Sequence, residues 1–523
     1  MSTWAQKEAV WDNPADGQWN SAIKHVQIIS SADGAMQDAM FYKSTKKTPQ
    51  PLIVSLHTWS GNYLQGDPLA KEVLLRNWNY IHPDFRGPNF NPDACGSSLV
   101  LSDILDAIHY AVKNGNVDTT QVHIVGVSGG AYLTLLCYMR LKYPVKSFNA
   151  WAPISDLYRW YWQSRGRHDI YAKELTDIAQ VNGKTDLNEL KKRSPMYYPV
   201  PVEERKNSYL NIYEGVHDGY KGSVPISQTF RFYNKVAKAL YPNNKSGIVP
   251  KNLWMKILID QCNPKADSSK LIGGRLIQLE KHLPKLSLTI FEGGHEMIVP
   301  VGLTLVPAGQ VKNLAPLNIL TIGDSNGAFK FGWPKQLMKL LPYSTIINKS
   351  IPGNTIGFDN LERPELNTLR NIDKYLAETY NKLPNGQQLD YIFIGLGSND
   401  TKAVFKNEQK EVPKKMAKLL VDIKSWLKIN HKQMPQICII TPPPTDKHKY
   451  YVPKYGGSNA RIQKNNIKFK KVAEKSHVGF INTYSILDNS ISTGTIDGIH
   501  LKPQLQFEEA KILVDYINHH KAK

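Results

Sequence analysis

Cysteine is scarce: there are four in 523 residues, at Cys95, Cys137, Cys262 and Cys438. They are too few and too scattered for a disulfide framework, and no C-x-x-C pair is present to support a metal site. Cys137 in "YLTLLCYM" and Cys438 in "ICIITP" read as small buried hydrophobes. Long apolar runs are also missing. None reaches the roughly eighteen residues that would raise a membrane span, so a membrane is not an expected partner. The opening "MSTWAQKEAVWDNPADGQW" lacks the basic start and apolar segment of a secretory signal. The compartment is left open: cytoplasmic as the chain stands, periplasmic or secreted if a leader has been removed. Acidic residues run short beside basic ones, 45 Asp+Glu against 65 Lys+Arg, a formal net charge of +20. Attraction to an acidic polymer is one reading of that excess. The simpler one is a solvated lysine surface, because helices such as "VPKKMAKLLVDIKSWLKINHK" space their apolar residues helically and leave the lysines facing water. No recognition motif accompanies the charge, so nucleic acid is not expected either.

What the chain does have is core material and rhythm. Hydrophobic residues make up 41%, and the length exceeds what one ordinary core organises, so at least two domains are expected. The first half alternates strand-like and helix-like segments: "PLIVSLH", "WNYIHPDF", the helix "SDILDAIHYAVKNG" closed by Gly115, "QVHIVGV", "YLNIYEG", "SQTFRFYNKVAKAL" and "LSLTIFEGG". Such alternation predicts an α/β fold with a mostly parallel sheet sandwiched by helices. The rhythm breaks at the Pro- and Gly-rich "VPVGLTLVPAGQVKNLAP" and resumes at "LNILTIGDS". The expected organisation is a first domain over 1–300, a linker over 301–314 and a second α/β domain over 315–523.

Gly126-Val127-Ser128-Gly129-Gly130 fits G-x-S-x-G between a strand and a helix, where a sharp turn lifts a serine hydroxyl clear of the sheet. A hydroxyl needs a base, and the base an orienting acid. His295 in "FEGGHEM" and Asp218 in "YEGVHDGY" both follow strands, where sites of parallel sheets collect. Asp260, after the strand-like "MKILI", is the rival acid, and His217 is a bystander. The oxyanion donors would be the N–H groups of Gly129 and of Trp59, in the loop after "LIVSLH". In "DLYRWYWQSRGRHDIY", Trp160 and Trp162 are either part of a buried helix face or exposed rings of a lid able to stack on a sugar. These residues resemble the α/β-hydrolase superfamily, in particular its esterase and prolyl-oligopeptidase-like branch, over most of 50–300. "HPDFRG" looks like that branch's strand–loop element, whereas "LHTWSGN" departs from its His-Gly-Gly oxyanion loop. The resemblance implies hydrolysis of an ester or amide.

A second serine follows. Gly323-Asp324-Ser325 ends the strand "LTIGDS", "SIPGNT" carries Gly353, "GLGSND" carries Asn399, and "IDGIHL" places Asp497 and His500 three residues apart. One turn thereby supplies both a base and its orienter. Taken together, in this order and each at a strand end, the four segments resemble the SGNH (GDSL) hydrolase family across nearly the whole second domain, with its flavodoxin-like fold. That resemblance implies Ser325 as nucleophile, His500 as base and Asp497 orienting it. The Ser325 N–H, Gly353 N–H and Asn399 amide would form the oxyanion hole, and Asp324 would be structural. No cofactor and no metal are implied at either site. Proteins that combine the two families resemble carbohydrate esterases. The expected function is therefore a bifunctional serine esterase that removes acetyl groups, with feruloyl as a further candidate, from a plant or algal polysaccharide. The alternatives are a peptidase-like first domain beside a general SGNH esterase or lipase, and a carbohydrate-binding first domain without catalysis.

Overall fold

A computed structural model describes residues 15–304, 316–383, 386–446 and 448–520. The chain separates into two compact units. The expected connector over 301–314 lies, from 305 onward, outside the described residues; Val299–Gly302 is a short helix.

The first unit is built on a mixed sheet, nine of whose strands lie within it. They are β1 (Lys24–Ile29), β2 (Met36–Tyr42), β3 (Gln50–Leu56), β4 (Asn79–Pro83), β5 (Val117–Val127), β6 (Ser147–Trp151), β7 (Tyr209–Gly215), β8 (Arg275–Leu283) and β9 (Leu286–Phe291). Their order is β1-β2-β4-β3-β5-β6-β7-β9-β8. From β4 to β9 the neighbours are parallel. The hairpin β1–β2, its junction with β4, and the pair β8–β9 are antiparallel. The central strands β3, β5, β6 and β7 bury most of their residues, apolar and polar alike. Helix Ser98–Asn114 starts where the Ser97 hydroxyl accepts the Val100 N–H at 3.3 Å and stops at Gly115. One expectation fails here: "MKILI" is not strand-like but lies in the helix Lys251–Asp260, entered from Pro250 and closed by Gln261 at φ 52°. A five-residue apolar run does not by itself distinguish the two periods.

The second unit holds a five-stranded, all-parallel sheet. Its strands are β10 (Asn318–Gly323), β11 (Thr345–Asn348), β12 (Tyr391–Gly395), β13 (Gln436–Ile440) and β14 (Gly479–Ile481), in the order β11-β10-β12-β13-β14. Side chains alternate between two cores. Leu320, Ile322, Ile392 and Ile394 face one cluster, while Ile319, Tyr391, Phe393 and Cys438 face the other. The order reverses at β10, so the loops after β10, β11 and β12 open together at the switch point where such sheets bind ligands. Three of the four segments singled out in the second half leave the sheet there.

Candidate active sites

In the first unit β5 ends in a left-handed turn. Ser128 sits at φ 55°, ψ −119°, is buried, and leads directly into the helix Gly129–Arg140. The flanking glycines are demanded by contact. A Cβ on Gly126 would fall 2.2 Å from the Gly130 carbonyl carbon, and one on Gly130 would fall 2.1 Å from Leu56 O. A Cβ on Gly129 would lie 2.4 Å from the backbone nitrogen of Trp59, so the two expected oxyanion donors are neighbours despite the unusual "LHTWSGN". The Ser128 N–H is spent on Trp151 O at 3.0 Å.

The loop after β9 carries His295 and the loop after β7 carries Asp218. His295 Nδ1 is 2.6 Å from Asp218 Oδ2, and both side chains are buried. Asp218 Oδ1 accepts the N–H groups of Gly219 and Val224 at 2.8 and 3.0 Å, which fixes the carboxylate. Gly222 closes over the pair, since a Cβ there would come 2.4 Å from both Asp218 Oδ1 and His295 Cβ. His295 Nε2 lies 3.3 Å from Ser223 Oγ. Asp260 is exposed at the end of its helix, so the contact with His295 belongs to Asp218. His217 pairs instead with Glu292, at 2.6 Å, and Gln261, at 3.3 Å.

The aromatic segment corrects an expectation. Trp160 is 1% exposed and packs edge-on against Trp59, with ring centroids 4.8 Å apart; its Nε1–H donates to Ser223 O at 2.9 Å. It is a core residue and offers no open face for a sugar. Trp162 is 46% exposed, with the Arg165 guanidinium 5.3 Å from its ring. Sequence reading missed Glu174, which accepts the Trp59 Nε1–H at 2.7 Å and anchors the loop after β3. It also missed Glu214 on β7. Burial, then the Asp218 charge, pushes the Glu214 carboxyl well above its ordinary value.

In the second unit β10 delivers Ser325 into a short helical turn, with Asp324 accepting the Asn326 N–H at 3.0 Å. Ser325 Oγ is 3.0 Å from His500 Nε2, and His500 Nδ1 is 2.6 Å from Asp497 Oδ2. Burial alone would raise the Asp497 carboxyl. The His500 and Ile499 backbone N–H groups and the imidazole hold it below its ordinary value instead. Gly353, at φ +89°, needs its glycine. Asn399 spends one of its two amide N–H bonds on Asn354 O at 3.0 Å, leaving the other. The residue joining the Ser325 turn to the His500 turn had no signal in the sequence. Asn326 Oδ1 accepts the Leu501 N–H at 2.9 Å and Gln506 Nε2–H at 3.0 Å, while its Nδ2 donates to Ile499 O at 3.3 Å. This staples the two turns across 175 residues.

Among the described residues no group of three or more His, Cys, Asp or Glu could hold a metal ion, and no helix is long and apolar enough to cross a membrane. Residues 320–506 match the GDSL-like lipase/acylhydrolase family, and residues 98–246 match the prolyl oligopeptidase family. No curated protein matches the chain. Solved structures similar to it include Est24, a carbohydrate acetylesterase from Sinorhizobium meliloti, at 23% identity over 39% of this chain and 99% of that one, with a TM-score of 0.34. An M. smegmatis aryl esterase shows 21% identity over 39% of this chain and 99% of its own, TM-score 0.34. A Pyrococcus horikoshii acylaminoacyl peptidase shows 17% identity over 42% of this chain and 35% of its own, TM-score 0.34. The first unit is α/β-hydrolase-like and the second SGNH/GDSL-like. The family match at 320–506, with Ser325 hydrogen-bonded to His500, supports a serine carboxylic ester hydrolase.

Proposed function

We propose that the chain is a bifunctional deacylase that removes acetyl groups, with feruloyl as a further candidate, from a plant or algal polysaccharide. Each site works through its own serine, histidine and aspartate: Ser128, His295 and Asp218 in the first unit, Ser325, His500 and Asp497 in the second. The observation that carries the second site is the unbroken relay from Ser325 Oγ to His500 Nε2, at 3.0 Å, and from His500 Nδ1 to Asp497 Oδ2, at 2.6 Å; the first rests on the contact of His295 Nδ1 with Asp218 Oδ2, at 2.6 Å.

Chemically, the serine oxygen attacks the ester carbonyl as its proton passes to the imidazole Nε2. The aspartate on Nδ1 selects the tautomer with a free Nε2 and stabilises the imidazolium that forms. Negative charge collects on the former carbonyl oxygen, opposite Gly129 and Trp59 N–H in one unit and Ser325 N–H, Gly353 N–H and the Asn399 amide in the other. The sugar hydroxyl leaves with the proton from Nε2. Water, deprotonated by the same imidazole, then releases the acid and frees the serine. Covalent linkage keeps the second site at high effective concentration near a polymer held at the first. The match of residues 98–246 to the prolyl oligopeptidase family favours a second reading, in which the Ser128 site cleaves an amide.

Ser128→Ala, Ser325→Ala and the double variant, assayed on p-nitrophenyl acetate and on acetylated and feruloylated xylan, test the proposal. Each single variant should lose one share of the released acid and the double variant nearly all of it, by several orders of magnitude at each site. Acid release from polymer that survives the double variant sinks the proposal. Activity of the Ser325→Ala protein on peptide substrates alone selects the second reading.

A further inference from the structure

Behind the Ser325 site a buried ammonium joins two loops. Lys402 is 4% exposed, and its Nζ donates to Asn360 Oδ1 at 3.2 Å. Asn360, itself buried, donates its Nδ2–H to the carbonyl of Gly353 at 2.6 Å. That contact pins the residue whose N–H is assigned to the oxyanion, in a backbone conformation that only glycine holds easily. The next two residues, Leu361 and Glu362, are also left-handed, both at φ 58°, so the turn bearing Asn360 is strained and needs to be held. Lys402 follows Asn399 by three residues in the same loop. That loop is stitched to the Gly353 loop twice more: Asn399 Nδ2 donates to Asn354 O, and both oxygens of Asp400 accept the Ile356 N–H at 3.0 and 3.1 Å.

We infer that Lys402 is a positioning residue of the Ser325 site: its ammonium holds Asn360, and through it Gly353, and brings positive potential to the loops where the oxyanion forms. A packing role would not require the charge, since an apolar side chain fills such a space without being stripped of water. A cation behind preorganised donors stabilises charge that appears only in the transition state, so it should act on kcat and leave KM alone. The inference rests on Ser325 being the nucleophile.

Lys402 interacts with Asp324, Asp400 and Lys454, while Arg461 holds the adjoining Thr401 carbonyl at 2.8 Å. Burial, then Lys454, lowers the Lys402 amine to about 8, with Asp324 and Asp400 opposing. Burial raises Asp400 to about 7. Lys402 is therefore charged below about 8 and loses its charge above. A histidine base gains activity as pH rises, so a falling limb has a different source.

The experiment measures kcat and KM for p-nitrophenyl acetate across that range in the Ser128→Ala protein, with Lys402→Arg, Lys402→Met and melting temperatures alongside. The parent should lose kcat as pH rises through about 8. Lys402→Arg should stay active without that limb, because guanidinium keeps its proton. Lys402→Met should be about tenfold or more slower below that range, part of what one oxyanion donor is worth, at unchanged KM, and the parent should fall toward it above. An identical falling limb in all three proteins, a loss confined to KM, or a change in melting temperature alone overturns the inference. Should Lys402→Met fail to fold, the arginine profile decides. Activity that survives Ser128→Ala/Ser325→Ala overturns the nucleophile assignment and this inference together, whereas Ser325-dependent activity with an unaltered profile overturns this inference alone.

Discussion

Replacing Asp218 by asparagine asks the first site a sharp question. The carboxylate accepts three hydrogen bonds: Gly219 and Val224 N–H on Oδ1, and His295 Nδ1–H on Oδ2. A carboxamide has one oxygen and one NH2. With its oxygen kept toward the two backbone donors, the NH2 faces Nδ1 and the imidazole must carry its proton on Nε2. It then cannot accept a proton from Ser128. Turning the amide round restores the tautomer but sets the NH2 against two buried N–H groups. The same substitution in a well-studied serine protease lowers kcat by about 10⁴, which is about 5 kcal/mol of barrier. The predicted loss here is of that order. Fluorophosphonate labelling of Ser128 in the Ser325→Ala protein reads it without knowledge of the substrate. Asp218→Asn should label about 10⁴-fold more slowly with little change in folding, and Asp260→Asn should label at the parent rate. A loss below about tenfold, or equal losses for the two variants, refutes the reasoning.

Two further substitutions address the loops. Gly129→Ala puts a methyl 2.4 Å from the Trp59 backbone nitrogen, so Ser128 labelling should fall by about a hundredfold while Ser325-dependent hydrolysis stays unchanged. Asn326→Ala removes the hydrogen bonds to Leu501, Gln506 and Ile499. Urea melts should record about 2 kcal/mol of lost stability, and steady-state kinetics a lower kcat at Ser325.

The two sites differ in how much of them can be read along the chain. Asp497 and His500 lie three residues apart in one turn, so a single segment announces the pair. Asp218 and His295 are separated by 77 residues, and the choice between Asp218 and Asp260 turned on whether "MKILI" was strand or helix. An apolar run that short carries no decisive period. Trp160 and Trp162 look alike on paper, yet one is sealed against Trp59 and the other faces water. Nor does sequence distinguish a solvated lysine from a desolvated one, as Lys402 beside the many exposed lysines makes plain.

What the amino-acid order determined alone was local: the strand-turn-helix settings of Ser128 and Ser325, the glycines that such turns require, and the alternation that makes each unit an α/β fold on a mostly parallel sheet. These follow from backbone sterics and from side-chain period, which act between near neighbours. The tertiary structure decided which acid meets His295, that Glu174 anchors Trp59, and that Asn326 ties one turn to another far along the chain. Hydrogen bonds of that kind depend on distances of a few tenths of an ångström, and only the packed sheet and its helices set those distances.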